Sequence, residues 1–188
     1  STGSGGWPMS VWLTPDLQPF YGGTYFPPTS RWGRPGFVDI LAEIARAWRE
    51  ERAKVVESSA SILGRLRAAS SASATSGVPG DDTLATAVRQ FGAAFDQRHG
   101  GFGGAPKFPR PSELLFLFRE YARTGDTLPR DAAVATLTAM ATGGLRDHLA
   151  GGFHRYSVDG AWRVPHFEKM LYDQAQLVLA YLEGAQVT

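Results

Sequence analysis

The order of apolar and polar positions along this chain predicts a β-hairpin followed by a series of helices. Residues 9–13 (MSVWL) and 19–25 (PFYGGTY) are short and apolar, and Pro15 and Asp16 supply turn chemistry between them. Two such runs joined by a turn are typical of antiparallel strands. From Phe37 the apolar positions recur every three or four residues, which is the period of a helix with one buried face. The stripe comprises Phe37, Ile40, Leu41, Ile44 and Trp48, and continues more weakly through Val55, Ile62, Leu63 and Leu66.

A small, polar segment at 70–80 (SSASATSGVPG) follows, and it has the composition of a flexible linker. After this segment the pattern is one of helices separated by loops rich in glycine and proline. Asp81 or Asp82 is a candidate N-cap for the first of these helices. Later helices are predicted over residues 114–121, 131–141 and 170–182. Helix pairs separated by glycine-rich loops recur, as they do in stacked αα-hairpins.

Composition narrows the class of protein. A chain of 188 residues with 43% hydrophobic residues has enough apolar material for one domain or two small ones. The net charge of +1 and the absence of a basic stripe disfavour nucleic acid and membrane surfaces as partners. No apolar run approaches the roughly 18 residues that span a bilayer, and no signal peptide is visible. We therefore expect a cytoplasmic protein. Without an initiating Met, the chain has the character of an internal piece of a longer protein.

The residues for several kinds of site are missing. The chain has no cysteine, which excludes disulfides, thiolate nucleophiles and cysteine-type zinc sites within it. The glycine doublets do not form a GxGxxG or GK[ST] phosphate loop. The four histidines, His99, His148, His154 and His166, lack an HExxH or similar spacing. We therefore expect neither a metal nor a cofactor.

The segment 151–176 (GGFHRYSVDGAWRVPHFEKMLYDQAQ) concentrates aromatic and charged residues and is the candidate site. Pro favours the first position of a helix, so Pro165 predicts a helix that begins there, after a short hairpin at 151–162. Helical spacing would then place His166, Lys169, Met170 and Asp173 on one face. Polar groups on an aromatic frame are how small-molecule pockets are usually lined.

Three residues of this segment are candidates for catalysis: His166, Glu168 and Asp173. Glu168 could instead complement the helix dipole, with His166 packing at the helix entry. Glycoside hydrolysis needs two carboxylates facing each other across the scissile bond. On a helix Glu168 and Asp173 would diverge, so Asp147 or Asp159 stays open as a partner for either.

Six further residues are candidates for substrate binding: Lys107, Phe108, His154, Arg155, Tyr156 and Trp162. Core packing is the commoner role for Trp and Phe, and His154 could be a buried histidine satisfied by the backbone. We expect His154, Trp162, His166 and Glu168 to converge on one concavity. We also expect Trp12 and Leu177 to lie on apolar faces that remain exposed.

Three stretches together resemble one known family: GGWPMSVWLTPDLQPFYGGTYFPP, GGFGGAPKFPRP and GGFHRYSVDGAWRVPHFEKMLYDQAQL. That family joins a thioredoxin-like domain to an (α/α) toroid of the six-hairpin glycosidase type. Its animal member is called spermatogenesis-associated, and its bacterial members are mostly uncharacterised.

The resemblance implies a mainly α fold, in which a partial (α/α) toroid follows the C-terminal half of a thioredoxin-like α/β domain. That half would be residues 1–69, with Pro8 as the cis-proline that faces the redox centre of thioredoxin folds. Residues 70–80 would be the linker, and residues 81–188 the first helical hairpins of the toroid. The remaining N- and C-terminal parts of the same protein would be partners of this chain.

Three classes of function stay open. The first is a carbohydrate-processing enzyme, similar to epimerases or glycosidases, with a sugar-like ligand bound around the GGFHRYS and PHFEKMLYD segments. The second is a thioredoxin-like redox protein whose cysteine motif lies outside this chain. The third is a non-catalytic binding scaffold. A shared fold alone does not decide between them.

Overall fold

The computed structural model describes residues 6–72, 78 and 80–188, and the chain divides into two compact units, Ser1–Gly77 and Val78–Thr188. The chain is mainly helical, as predicted. The first unit contains β1 (Ser10–Leu13), β2 (Pro19–Gly23), α1 (Phe37–Glu50) and α2 (Arg52–Ala72). The second contains α3 (Asp81–Ala94), α4 (Pro111–Thr124), α5 (Thr127–Thr142) and α6 (Leu171–Gln186).

Along the sequence, the boundary between the two units falls within the predicted linker 70–80. Residues 70–72 of that segment belong to the last turn of α2, while residues 73–77 and 79 lie outside the described residues. The assignment of residues 1–69 to a thioredoxin-like half and of 81–188 to toroid hairpins stays a prediction.

The predicted N-terminal hairpin is confirmed. β1 and β2 pair antiparallel, with Ser10 opposite Gly23 and Trp12 opposite Tyr21. Thr14 closes the turn, because its N–H donates to the carbonyl of Gln18 at 2.9 Å and its hydroxyl accepts from the Gln18 N–H at 3.2 Å. The strand ends differ from the prediction by one or two residues.

The predicted helical stripe from Phe37 forms two helices, since α1 stops at Glu51, whose backbone leaves the helical region with φ −128° and ψ 31°. An aromatic cluster fills the space between the hairpin and α1. The Trp12 ring lies 5.5 Å from Tyr21 and 6.0 Å from Phe37, measured between ring centroids. The Trp7–Pro8 peptide is cis, as the family resemblance implies.

The second unit is built around α4, which packs against both α5 and α6. α4 begins with Pro111 and ends at Gly125, whose φ of +75° is the left-handed conformation that stops helices. The predicted capping by Asp81 or Asp82 is wrong: Gly80 is the N-cap of α3, and both carboxylates lie in the first turn instead. The buried core comprises Phe102, Leu114, Leu117, Phe118, Ala133, Leu137, Met140, Leu145, Trp162, Leu177 and Ala180.

The helix predicted to start at Pro165 is also wrong, because α6 begins at Leu171. Pro165 forms an isolated antiparallel bridge with Ser157. Met170 is extended, with φ −101° and ψ 132°, and is the N-cap of α6. Residues 165–170 therefore approach the helix as an extended segment, and His166 and Asp173 do not share a helical face.

Candidate functional site

The loop between α5 and α6 folds back on itself as an irregular antiparallel hairpin, which we call the 155–168 hairpin. The N–H of Arg155 donates to the carbonyl of Glu168 at 2.7 Å, and the N–H of His166 donates to the carbonyl of Tyr156 at 2.9 Å. Side chains that face each other across antiparallel segments lie close together. The fold therefore sets Arg155 beside Glu168 and Tyr156 beside His166.

Asp159 holds the turn of this hairpin. Its carboxylate accepts hydrogen bonds from the backbone N–H groups of Ala161 at 2.6 Å, Val164 at 2.6 Å and Arg163 at 3.3 Å. Burial alone would raise the pKa of Asp159, but these donors and the nearby Arg163 guanidinium bring it below its usual range. Asp159 therefore has a structural task and is a poor catalytic partner for Glu168.

An ion pair forms the centre of the candidate site. Arg155 Nη1 donates to Glu168 Oε2 at 3.0 Å, and His166 Nε2 lies 3.6 Å from the same oxygen. The hydrogen bond to Glu168 is the main reason that the pKa of Arg155 is raised. The Arg155 side chain is 15% exposed, whereas Glu168 is 34% and His166 49% exposed. A ligand can therefore reach Glu168 and His166.

Asp173 is a buried carboxylate in the first turn of α6 that is within range of the charges of this ion pair. The residue is 8% exposed, and within the described ranges its Oδ2 has no hydrogen-bond partner. Burial raises the pKa of the Asp173 carboxyl, the charge of Arg155 partly opposes that rise, and the charge of Glu168 adds to it. Glu168 and Asp173 are not spaced around one helix as expected, because Glu168 precedes α6, and the charges of Arg155 and Glu168 both act on Asp173.

Aromatic rings flank the ion pair. The Tyr156 and His166 rings are stacked, with centroids 4.7 Å apart and an interplanar angle of 7°. The Phe108 ring also contacts Tyr156, with ring centroids 4.7 Å apart. The His154 ring meets Phe167 edge-on at 5.2 Å, and its Nδ1 is buried without a partner in the described part of the chain.

Lys107 and Trp162 lie elsewhere, in a buried cluster of the same unit. The Lys107 side chain is 1% exposed, and its Nζ donates to Asp96 Oδ2 at 2.5 Å and to the Gly100 carbonyl at 2.8 Å. Trp162 is also 1% exposed, and its indole N–H donates to the His99 carbonyl at 3.1 Å. These positions favour core packing, and the expected concavity does not include Trp162.

Asp147 is engaged as well. Its Oδ2 accepts from Lys169 Nζ at 2.6 Å, and Lys169 also donates to the Gly151 carbonyl at 2.7 Å. The hydrogen bond from Lys169 and two backbone N–H donors hold the pKa of Asp147 well below its usual range. Asp147 and Asp159 are thus both engaged in other hydrogen bonds, which leaves Asp173 as the remaining candidate partner for Glu168.

Comparison with known proteins connects this geometry to a family. Residues 1–67 match the family model Thioredox_DsbH, described as a protein of unknown function, DUF255. The whole chain is 44% identical over 200 residues to human spermatogenesis-associated protein 20. It is 41% identical over 192 residues to uncharacterized protein B0495.5 of Caenorhabditis elegans. Over its whole length this chain is therefore similar to spermatogenesis-associated protein 20 and to the nematode protein.

The chain spans about a quarter of the length of these relatives, 25% of the human protein and 26% of the nematode one. All of the chain is covered in both comparisons, so the 155–168 hairpin lies inside the region of similarity to the family. The chain is thus similar to these relatives across both structural units and not only across residues 1–67.

The first unit of the chain also holds a cleft, of about 690 Å³, between β2, α1 and α2. Its floor is apolar, with Phe20, Ile40 and Ile44. Its ionic groups are engaged with one another, as Arg46 contacts Glu43 and Glu51, and Lys54 contacts Glu51 at 2.7 Å. This arrangement leaves little free polar chemistry for a reaction.

The described residues also contain neither a candidate membrane span nor a candidate metal site. None of the described helices combines the length and the apolar character needed to cross a membrane. No group of three or more His, Cys, Asp and Glu side chains suited to a metal ion occurs in the part of the chain that the structure describes.

Proposed function

We propose that Arg155, Glu168, His166 and Asp173 form a small-molecule site, and that the chain belongs to a carbohydrate-processing protein of epimerase or glycosidase type. The observation that carries the proposal is the pair of unlike carboxylates around Arg155. Glu168 is accessible and paired with the guanidinium, whereas Asp173 is buried with a raised pKa. Carboxyl groups whose environments differ in this way are typical of acid and base pairs in active sites.

The exposure of these side chains suggests a different role for each. Glu168 and His166 touch the ligand, because their side chains are exposed and lie 3.6 Å apart at Nε2 and Oε2. A proton passing between a ligand hydroxyl and Glu168 has the imidazole within reach as the next acceptor. Asp173 acts through Arg155, since the buried carboxyl and Glu168 compete for the same guanidinium charge.

The aromatic groups suit a sugar. Phe108, which contacts Tyr156, is 43% exposed, and Phe167, which contacts His154, is 82% exposed. Ring faces pack against the apolar C–H faces of sugars while neighbouring charges bind the hydroxyls. Phe108, His154, Arg155 and Tyr156 are accordingly proposed as substrate-binding residues.

A redox function is the second candidate, and the thioredoxin-like match over residues 1–67 favours it. Since the chain has no cysteine, disulfide exchange would require a thiolate from outside it. A binding scaffold without catalysis is the third, and in that case the Arg155–Glu168 pair would only brace the hairpin.

The test is a screen of neutral and amino sugars against the full 188-residue chain by ligand-observed NMR. We expect at least one sugar to bind, and Glu168→Gln to weaken its binding at least tenfold, which corresponds to about 1.4 kcal/mol. Glu183→Gln is the matched control, because Glu183 also accepts a hydrogen bond from an arginine, Arg119, at 3.0 Å, and lies near the C-terminal end of α6.

The Glu168→Gln variant should keep its melting temperature, since the amide retains the shape of the side chain. The proposal fails if no sugar binds, or if Glu183→Gln weakens binding as much as Glu168→Gln. A variant that binds normally but melts early would assign Glu168 to bracing of the hairpin.

A further inference from the structure

A second polar site lies at the turn between α3 and α4, away from the ion pair of Arg155 and Glu168. Asp96 Oδ1 accepts from the backbone N–H groups of Arg98 at 2.9 Å and His99 at 3.1 Å. Asp96 Oδ2 lies 3.4 Å from His99 Nδ1. One carboxylate thus shapes the turn and orients the imidazole ring that follows it.

A buried lysine fixes this carboxylate from behind. Lys107 Nζ contacts Asp96 Oδ2 at 2.5 Å, with the lysine side chain 1% exposed and the aspartate 26% exposed. The hydrogen bond from Lys107 is the main reason that the pKa of Asp96 lies well below its usual range. Asp96 is therefore ionised at every physiological pH, and its charge is compensated by Lys107.

The imidazole borders a shallow, open cavity of about 460 Å³ at the surface, between the Asp96–His99 turn and the turn of the 155–168 hairpin. Four ionisable side chains line it: Asp96, His99, Asp159 and Arg163. Both carboxylates are already occupied, Asp96 by Lys107 and backbone N–H groups, and Asp159 by three backbone N–H groups. The cavity therefore keeps two polar groups for a ligand, the His99 ring and the Arg163 guanidinium.

Neither of these groups is engaged on its outer side. Across residues 6–72, 78 and 80–188, His99 Nε2 makes no hydrogen bond, and the Arg163 guanidinium makes neither a hydrogen bond nor an ion pair within 4.0 Å. The backbone N–H of Arg163 donates to Asp159 at 3.3 Å, whereas its guanidinium acts on that carboxyl through a longer-range charge effect that lowers the pKa of Asp159. A ligand can therefore bind His99 at Nε2 while Nδ1 keeps its contact with Asp96, and it can bind the Arg163 guanidinium without displacing a partner.

The two turns that carry these groups are joined firmly. The Trp162 indole N–H donates to the carbonyls of His99 at 3.1 Å and Gly100 at 3.3 Å. Trp162 is the residue before Arg163 and is itself buried, with 1% exposure. The backbones on both sides of the cavity are consequently held in place before any ligand arrives, which lowers the entropic cost of binding.

We propose that this cavity binds a small ligand through a phosphate group, with His99 and Arg163 as the contacting residues. A guanidinium binds two oxygens of an anion in its own plane, and a carboxylate ligand has only those two oxygens. An N–H donor of the His99 ring needs a further acceptor oxygen, which a tetrahedral phosphate supplies. The site is separate from the proposed sugar site and does not depend on it.

The probe for the test is inorganic phosphate, titrated into the full chain at pH 6.0, where free imidazole is mostly protonated. The His99 ring resonances should shift and saturate in the millimolar range, at ionic strength held constant with sodium chloride. His99→Gln and Arg163→Gln should each weaken phosphate binding at least tenfold. Sulfate should compete, and acetate should bind at least tenfold more weakly than phosphate.

Arg98→Gln is the matched control, because Arg98 is exposed in the same turn but does not line the cavity. Its affinity for phosphate should stay within twofold of the unchanged chain. Equal losses in Arg98→Gln and Arg163→Gln would reduce the effect to general charge attraction and overturn the proposal. Equal affinities for acetate and phosphate would overturn the phosphate assignment, and so would an unperturbed His99 ring. Glu168→Gln should bind phosphate normally, which keeps this result independent of the sugar screen.

Discussion

At the scale of single residues, the pair of Lys107 and Asp96 is the most consequential interaction in the second unit. Removing one partner of a buried ion pair leaves an uncompensated charge, and the cost is typically about 3–5 kcal/mol. We expect Lys107→Met to destabilise the second unit by about 3 kcal/mol, at the low end because Asp96 is partly exposed. Native-state hydrogen exchange of the α4 and α5 amides measures this loss in the unit concerned.

The double variant Lys107→Met with Asp96→Asn separates charge from packing. If the uncompensated carboxylate causes the loss, the second substitution should restore a large part of it. A double variant that is less stable than Lys107→Met would show that the packing of the lysine stem matters more than its charge.

Asp173 and Asp147 should respond to pH with opposite signs. Burial raises the pKa of Asp173 in the folded state, so its ionisation opposes folding once the pH exceeds that value. Lys169 lowers the pKa of Asp147, so its ionisation supports folding, and that support is lost as the pH falls through the folded-state pKa. At pH 7 we expect Asp173→Asn to keep or raise the stability of the unit and Asp147→Asn to lower it.

The effect at Asp173 should vanish below about pH 3, where its carboxyl is protonated in both the folded and the unfolded chain. The effect at Asp147 should shrink less at that pH, because its folded-state pKa lies well below the usual range. Urea unfolding of the two variants at pH 7 and pH 3 checks the sign. If Asp173→Asn lowers stability at pH 7 by as much as Asp147→Asn, then Asp173 is not the strained buried acid that the geometry indicates.

The residues of the candidate site could be predicted from sequence only in part. Arg155, His166 and Glu168 stood out because the 151–176 segment mixes charges and rings so densely. Their pairing could not be predicted, since it depends on a hairpin register. His99 was considered only as a metal ligand, although the Asp96-x-x-His99-Gly-Gly spacing is itself a signal for a turn whose aspartate orients the histidine.

At the scale of elements, glycine decides how closely the hairpin approaches the end of α5. Gly144 donates its N–H to the Trp162 carbonyl at 2.7 Å, and a Cβ there would overlap the carbonyl of Arg163. Because that neighbour is backbone, we expect Gly144→Ala to cost about 1–3 kcal/mol, as overpacking usually does. Thermal unfolding of the variant measures the effect.

Gly92 is the matched control, because it lies within α3 and a Cβ there would meet no atom within 4 Å. Gly92→Ala should stabilise the chain by about 0.5–1 kcal/mol, since alanine favours the helix. Equal effects of the two substitutions would mean that the hairpin can move away from α5 at little cost.

The elements that depend on local signals were predicted well, and those that depend on distant pairing were not. The β1–β2 hairpin and the stop of α4 at Gly125 follow from turn chemistry within a few residues. Pro165 carries the same local signal as a helix start, yet its segment is extended. The cause is the backbone pairing with residues 155–158, which overrides the preference of Pro for a first helical turn.

At the scale of the whole molecule, the absence of cysteine determines the result that we expect in a redox assay. A thiolate is the attacking species in disulfide exchange, and the chain has no cysteine. The purified chain should therefore not reduce the disulfides of insulin above the rate of buffer with dithiothreitol alone. Reduction above that background would require a chemistry other than thiol exchange.

The last prediction concerns the outer face of α6. The expectation that Leu177 is exposed is wrong, because Leu177 is 1% exposed and faces the core with Asp173 and Ala180. The opposite face carries Leu171, Val178 and Leu182, which are 84%, 66% and 54% exposed. Positions seven and eleven residues after Leu171 lie on the same side of a helix, so these side chains form one apolar stripe.

A contiguous apolar stripe in water promotes association and dye binding. We expect the chain to enhance the fluorescence of a hydrophobic dye and to elute from a sizing column in a concentration-dependent way. Val178→Lys with Leu182→Lys should reduce both effects while leaving the core untouched. Leu128→Lys is the control, since Leu128 is 73% exposed but lies on α5. If association depends on the stripe, only substitutions on that face of α6 should suppress it. Equal suppression by Leu128→Lys would show that added charge, and not loss of the stripe, reduces association.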